Sequence, residues 1–536
     1  MPPLAFSSQQ GLGQVSSALK DTKYQADPLT LFRNLSSERD NCLLLESAEI
    51  SDKRALKSLI LVDAALKVVC QYKTVTISAL TENGVNALAY LQQVFSDKAY
   101  KNKLQIVSSS ANKFIVEFSD CLDNLDELSR LLATNPMQVL RELQAIKSDS
   151  EHPFAVFVAF DLITIAEQLP SVKDSENSCP DYVFYLAETL IVIDHQQQKT
   201  DILGNVFSGQ NQQKNIATLE SQLQALDNIC QQTIVRPDIN LDNEINDNVN
   251  VNIDDATFCQ QVELLKEHIR AGDIFQVVPS RTFSIACNDA LDSYQVLKQT
   301  NPSPYMFFLK DNDFSLFGAS PESALKFSAD SRDVELYPIA GTRPRGFRAD
   351  GSYSADLDGR IELELRNDVK ENAEHLMLVD LARNDIARVS VGGTRHVAEL
   401  LKVDRYSHVM HLVSRVIGKL ANNLDALHAY QACMNMGTLS GAPKVRATEL
   451  IRQVEGQRRG SYGGAVGYIN GLGDMDTCIV IRSAFVKNNI AYVQAGAGVV
   501  YDSVPQAEAD ETRQKAQAVI KAVQLANAAC NKKGAY

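Results

Sequence analysis

Apolar residues recur along this chain with two periods, and the switches between them mark its elements. Near the C-terminus, Ala516, Val519, Ile520 and Val523 fall on the i, i+3, i+4, i+7 stripe of a packed helix. Its start is signalled by Ser503 as a cap, Pro505 in the first turn and Gln506 three residues after the serine. Upstream, Val480–Val486 and Ala491–Ala495 read as strands joined through the turn Lys487-Asn488-Asn489. Tyr305–Leu309, Ser315–Gly318 and Glu335–Pro338 read as further strands. Phe258–Ala271 reads as a helix ended by Gly272 and followed by a strand over Ile274–Pro279. In the first half, Val68–Ser78 and Phe114–Phe118 have strand character, whereas Leu125–Leu132, Met137–Ile146 and Asn211–Gln231 have helical character. Arg236–Thr257 is rich in Asn and Asp and poor in large apolar residues, so it reads as a linker or long surface loop. Strands in hairpins with helices between them predict an α+β fold rather than a doubly wound parallel sheet.

Composition narrows the function classes. A chain of 536 residues, 45% hydrophobic and 22% charged, is long enough for two or more cores and typical of soluble globular proteins. The net charge of −14 argues against broad binding of a phosphate backbone, and so against nucleic acid as a partner. Met1–Lys20 lacks the basic and apolar segments of a secretory signal, and apolar runs such as Ala155–Phe160 are too short to span a bilayer. The ten cysteines are scattered, with no Cys-x-x-Cys pair and no histidines at zinc spacing. Reduced thiols in a cytoplasmic protein are expected.

The chemistry concentrates in one repeated spacing. Glu371-Asn-Ala-Glu374 and Glu508-Ala-Asp-Glu511 each put two carboxylates on one helix face. Gly496-Ala497-Gly498, just upstream of the second pair, would let a ligand approach the backbone. Mg²⁺ takes oxygen ligands of this kind, usually one or two carboxylates plus an anionic substrate. Spacing alone equally describes solvated acidic faces near helix starts. Gly437–Lys444 has the glycines and lysine of a phosphate loop but not the G-x-x-x-x-G-K-[ST] spacing, and Pro443 removes an amide donor, so no nucleotide site is expected there.

Seven segments occur in a diagnostic order: Gly272-Asp-Ile-Phe-Gln276, Ser320-Pro-Glu322-Ser, Pro338-Ile-Ala340-Gly341-Thr342-Arg-Pro-Arg-Gly, Asp380-Leu-Ala-Arg-Asn-Asp385, Gly437-Thr438-Leu-Ser-Gly-Ala-Pro-Lys444, Gly463-Gly-Ala-Val-Gly467 and Arg482-Ser-Ala. In this order they resemble the chorismate-utilising enzymes, specifically the component I subunits of anthranilate synthase. The resemblance covers about residues 255–525 and reaches into the first half through Leu43-Leu-Leu-Glu46-Ser47. It implies a large antiparallel sheet with surrounding helices, a catalytic region at 255–525 and an N-terminal region at 1–240 packed onto it.

The resemblance also implies roles. The metal would be Mg²⁺ on Glu374 and Glu511, with Glu371 and Glu508 in support. Chorismate would meet Gly341, Thr342, Tyr462, Arg482, Gly496, Ala497, Gly498 and Lys515. Glu322 would be the general acid, with His411, Gln276 and Thr438 beside the ring. Relatives that make isochorismate carry a lysine where Gln276 stands, and relatives that make aminodeoxychorismate carry one where Ala340 stands. The pair Gln276 and Ala340 therefore points to ammonia as nucleophile. A separate glutamine amidotransferase subunit, two copies of each chain, and inhibition by L-tryptophan at Ser47, Pro304, Tyr305 and Met306 are further implications. The chain contains no tryptophan, which fits an enzyme needed when that amino acid is scarce. A non-catalytic amino-acid-binding regulator is the rival reading, and it predicts decay of the acidic site.

Overall fold

The computed structural model describes residues 6, 11–48, 55–119, 125–148, 153–158, 160–232, 239, 248–348, 350–406 and 409–533. Among the described residues, hydrogen-bonded pairings join 23 strands into one sheet, antiparallel except where Gln14–Val15 runs beside Lys147–Ser148. The strands that carry the site are β1 (Cys42–Ala48), β2 (Tyr305–Lys310), β3 (Ser315–Ser320), β4 (Val409–Lys419), β5 (Ser483–Lys487) and β6 (Ile490–Gly496). Its helices are α1 (Val369–Ala387) and α2 (Pro505–Lys533).

Strands from both halves of the chain alternate in this sheet. β1 lies between β2 and the strand Ala55–Gln71, and Pro153–Val158 pairs with Ala465–Asn470. Leu44 and Phe308, opposite each other on β1 and β2, share a core with Phe32, whose ring meets Phe308 edge-on at 5.7 Å. On the other face Leu43, Phe307 and Leu309 fill a second core. α2 buries Ala516, Val519 and Val523 in the first of these, as its apolar stripe requires.

Several local expectations change. Val68–Ser78 is two strands, because Tyr72 adopts a left-handed conformation (φ 57°) and turns the chain into a hairpin. The expected strand Val480–Val486 is broken: Met475–Ile479 and β5 flank a kink in which Arg482 has φ 49°. Ile274–Pro279 shrinks to Gln276–Val277, paired with Gly441–Ala442; a Cβ on Gly441 would lie 2.1 Å from the Gln276 carbonyl. Asp254 caps a helix that starts at Asp255, so the linker ends earlier than expected, and residues 236–238 and 240–247 of it lie outside the described residues. The Ser503 hydroxyl turns back to accept from the Val500 amide at 3.0 Å. The nine described cysteines are free, and no described helix is long and apolar enough to cross a membrane.

Because β1 is hydrogen-bonded on both sides by strands from different halves, neither half should fold alone. Segments 1–240 and 255–536, expressed separately, should lack cooperative thermal unfolding. A sharp, native-like melting transition in either piece would contradict this.

Candidate active site

α1 and α2 face each other across a cleft of about 750 Å³. Asp368 caps α1 by accepting from the Glu371 amide at 3.0 Å, which fixes the turn that aims Glu371 and Glu374 into the cleft. α2 contributes Glu508, Glu511 and Lys515 to the opposite wall. Glu322, Ala340, Gly341, Thr342, His411, Thr438, Tyr462, Arg482, Gly496, Gly498 and Gln276 also line it, so the structure brings nearly all the expected residues together. Ala497 is the exception. It is fully buried, and its amide is donated to the Pro279 carbonyl at 3.1 Å, so that amide does not face the cleft.

The carboxylates are crowded and partly neutralised. Lys515 Nζ stands 2.5 Å from Glu511 Oε1 and donates to the Gly496 carbonyl at 3.1 Å. Arg343 grips Glu371 at 2.8 Å and Asp368 at 2.7 Å; sequence reading gave this arginine no role, although it stands in the same motif as Thr342. Burial raises the pKa of Glu374, Glu371 and Glu511 push it further up, and Lys515 opposes them. Glu508 is raised by burial as well, and its Oε2 is buried without a hydrogen-bond partner. Gln276 Nε2 makes a long bond of 3.4 Å to Glu374, and its Oε1 is also buried and unpartnered.

Hard oxygen donors with unmet polar atoms are the chemistry Mg²⁺ selects. Among the described residues no three His, Cys, Asp or Glu side chains stand together as a metal group; Lys515 pairs with Glu511 and Arg343 with Glu371. The chemistry of the donor set fits the ion.

Burial sets two further groups in opposite directions. It raises Glu322 to about 8, against the pull of Thr438, Arg482 and Lys515, so this carboxyl keeps its proton at neutral pH. It lowers His411 to about 4, helped by the charge of Arg482, so the imidazole is neutral. The sheet register sets Thr342 opposite His411, and its hydroxyl meets Nδ1 at 2.9 Å. Gly341 sits at a bulge beside it with φ +87°, where a Cβ would press on Leu412 and Glu371. Arg482, held in its left-handed kink, makes no ion pair among the described residues, and burial lowers its pKa. A Cβ on Gly498 would lie 3.1 Å from Gln276 Nε2, so glycine keeps this side of the cleft open. Tyr462 is buried under the guanidinium of Arg459.

The expected inhibitor segments are neighbouring strands. Ser47 on β1 pairs with Tyr305 on β2, and Glu46 pairs with Met306. Consecutive residues point to opposite faces: Tyr305 reaches Asp476 at 3.2 Å, while Met306 lies in the core beyond, with Pro304 buried at the strand entry. Glu46, on the Met306 side, accepts from Tyr294 at 2.6 Å and pairs with Lys298.

A family model of chorismate binding enzymes matches residues 90–521. Anthranilate synthase component 1 of Vibrio parahaemolyticus is 53% identical over 523 residues, covering 96% of this chain and 94% of the relative. The component 1 protein of Escherichia coli K12 is 53% identical over 510 residues, covering 94% and 96%. This chain belongs to the chorismate binding enzymes, among the anthranilate synthase component 1 proteins. The crystal structure of anthranilate synthase component I from Streptococcus pneumoniae superposes with a TM-score of 0.64 at 29% identity, covering 87% of this chain and 92% of that one. The menaquinone-specific isochorismate synthase MenF of E. coli shares the fold, with a TM-score of 0.66 at 16% identity over 97% of this chain and 96% of that one.

The raised Glu322 has a consequence for stability. The native chain keeps a proton that the unfolded chain, at the ordinary value of 4.5, gives up, so the associated stability is full below 4.5 and is lost as pH rises through about 8. Glu322→Gln removes that loss. The variant's melting temperature minus the wild type's should grow between about pH 5 and pH 8 and then level off. A difference independent of pH in thermal scans would exclude a buried, neutral acid.

Proposed function

We propose that this chain is a cytoplasmic, Mg²⁺-dependent anthranilate synthase component I, converting chorismate and ammonia into anthranilate, pyruvate and water. The observation that carries the reading is the pairing of Gln276 and Ala340 in a cleft that also holds the neutral Glu322. Neither position offers the lysine of the isochorismate or aminodeoxychorismate relatives, so the nucleophile comes from outside the chain.

Arg482 presents a planar fork to the enolpyruvyl carboxylate, and Lys515 adds a second cation. Glu322 donates its proton to the C4 oxygen as the ammonia nitrogen bonds to C2 and the ring double bonds shift; water leaves. The new C2 ammonium gives one proton back to Glu322. The C2 proton is then removed, its electron pair completes the aromatic ring as the ring C3–O bond breaks, and the enolpyruvate that leaves takes up a proton to become pyruvate. His411, neutral and next to the cleft, is the group available to take the C2 proton. Glu374 and Glu511 would hold Mg²⁺ with Glu371 and Glu508 in support, and the bound ion supplies a clamp and Lewis acid for the ring carboxylate.

Ammonia would come from a glutamine amidotransferase partner, with two copies of each subunit. In this chain burial pushes the thiols of Cys42, Cys230 and Cys287 up to about 12, 11 and 11, the reverse of what a glutamine-hydrolysing nucleophile needs. L-tryptophan would inhibit through Ser47 and Pro304–Met306. The intact cleft argues against a regulator that has lost catalysis.

The purified chain, given chorismate, Mg²⁺ and an ammonium salt at alkaline pH, should develop anthranilate fluorescence, and glutamine should not replace ammonia until the partner is added. Glu374→Ala should abolish the signal while circular dichroism stays native. No anthranilate from the wild type, or turnover with glutamine alone, would overturn the assignment.

Tryptophan should weaken chorismate binding, and chorismate should weaken tryptophan binding by the same factor, commonly about 5- to 150-fold. Ser47→Phe should lose the inhibition and keep most of the uninhibited rate. Tryptophan titrations at several chorismate concentrations read both, and unchanged inhibition in the variant would remove Ser47 from the pocket.

A further inference from the structure

Glu322 is not held by its own carboxylate contacts alone. It lies two residues beyond the end of β3, and Pro321 between them has no amide to give a neighbouring strand. The gap is closed by a side chain. Ser320, the last residue of β3 and fully buried, accepts from the Glu322 amide at 3.3 Å and donates back to the Glu322 carbonyl at 3.2 Å. That carbonyl also accepts from the Ile479 amide at 3.0 Å.

Ser320 itself is fixed by three strands. It stands opposite Tyr305 of β2, which stands opposite Ser47 of β1, so one row of backbone partners crosses the sheet and ends at the serine. The preceding residue, Ala319, donates its amide to the carbonyl of Arg482 at 3.0 Å. The end of β3 therefore anchors both the residue expected to protonate the substrate and the cation expected to bind its carboxylate.

We propose that Ser320 is a positioning residue: its hydroxyl closes the Ser320–Pro321–Glu322 turn and holds the carboxyl of Glu322 at its place in the cleft wall. This rests on the reading of Glu322 as the acid. The turn also keeps that carboxyl withdrawn from water, the burial that raises its pKa to about 8. Without the hydroxyl, the Glu322 amide loses its partner, the turn loosens and water reaches the acid. Ser323, on the other side of Glu322, provides a control of equal chemistry. Its hydroxyl is also buried but donates to the Thr477 carbonyl at 3.3 Å, away from the Glu322 peptide.

The test is the pH dependence of kcat for Ser320→Ala, Ser323→Ala and wild type, with free NH₃ held constant. General acid catalysis supplies about 10²- to 10⁴-fold, and a misplaced acid should lose roughly tenfold or more of it in kcat with KM little changed. The alkaline limb of Ser320→Ala should move to lower pH, while Ser323→Ala keeps the wild-type limb. If Ser320→Ala fails to fold, Ser320→Cys preserves the packing with a weaker hydrogen-bonding group and should shift the limb the same way by less. An unmoved limb in the folded Ser320 variant, or an equal shift in Ser323→Ala, would overturn the proposal. A wild type that makes no anthranilate would instead overturn the function on which it rests.

Discussion

Repulsion among like charges is the constraint that the rest of this structure answers. Two carboxylates 4 Å apart repel by roughly 4 kcal/mol even at an effective dielectric of 20. Here Glu371, Glu374, Glu508 and Glu511 line one cleft. They are held because α1 and α2 are docked on a sheet by buried apolar residues, Leu378 and Val379 on one and Val519 and Val523 on the other. Lys515 and Arg343 offset part of the repulsion from within. What remains is a cleft in which four carboxylates are only partly neutralised by two cations.

The same burial produces two neutral groups of opposite chemistry. Withdrawing Glu322 from water disfavours its anion and leaves a proton to give. Withdrawing His411 disfavours its cation and leaves a lone pair to accept one. Arg482 acts on both in the same sense, favouring the anion of one and disfavouring the cation of the other, so the rise of Glu322 is tempered while the fall of His411 is deepened. Depth alone thus leaves both groups uncharged at neutral pH.

Local pattern made much of the fold legible. The stripe Ala516–Val523 marked α2, and Asn488–Asn489, both left-handed, form the turn expected between β5 and β6. Where reading failed, the cause was backbone shape that apolar runs do not encode. Val480–Val486 is uniformly suited to a strand apart from Arg482, yet the chain kinks there and thereby turns the guanidinium into the cleft. Ala497 was grouped with its flanking glycines, but a sheet neighbour had already claimed its amide.

By itself the sequence determined the α+β class, the paired carboxylates on two helix faces and, through motif order, the family, because periodicity and motif spacing are local properties of the chain. Only tertiary structure decided that the two faces meet. The surroundings that separate Glu322 from an ordinary glutamate, among them Thr438, Arg482 and Lys515, come from more than a hundred residues away along the chain, as does the row from Ser47 to Ser320. Charge and desolvation depend on distance in space, and no pattern along the chain records that distance.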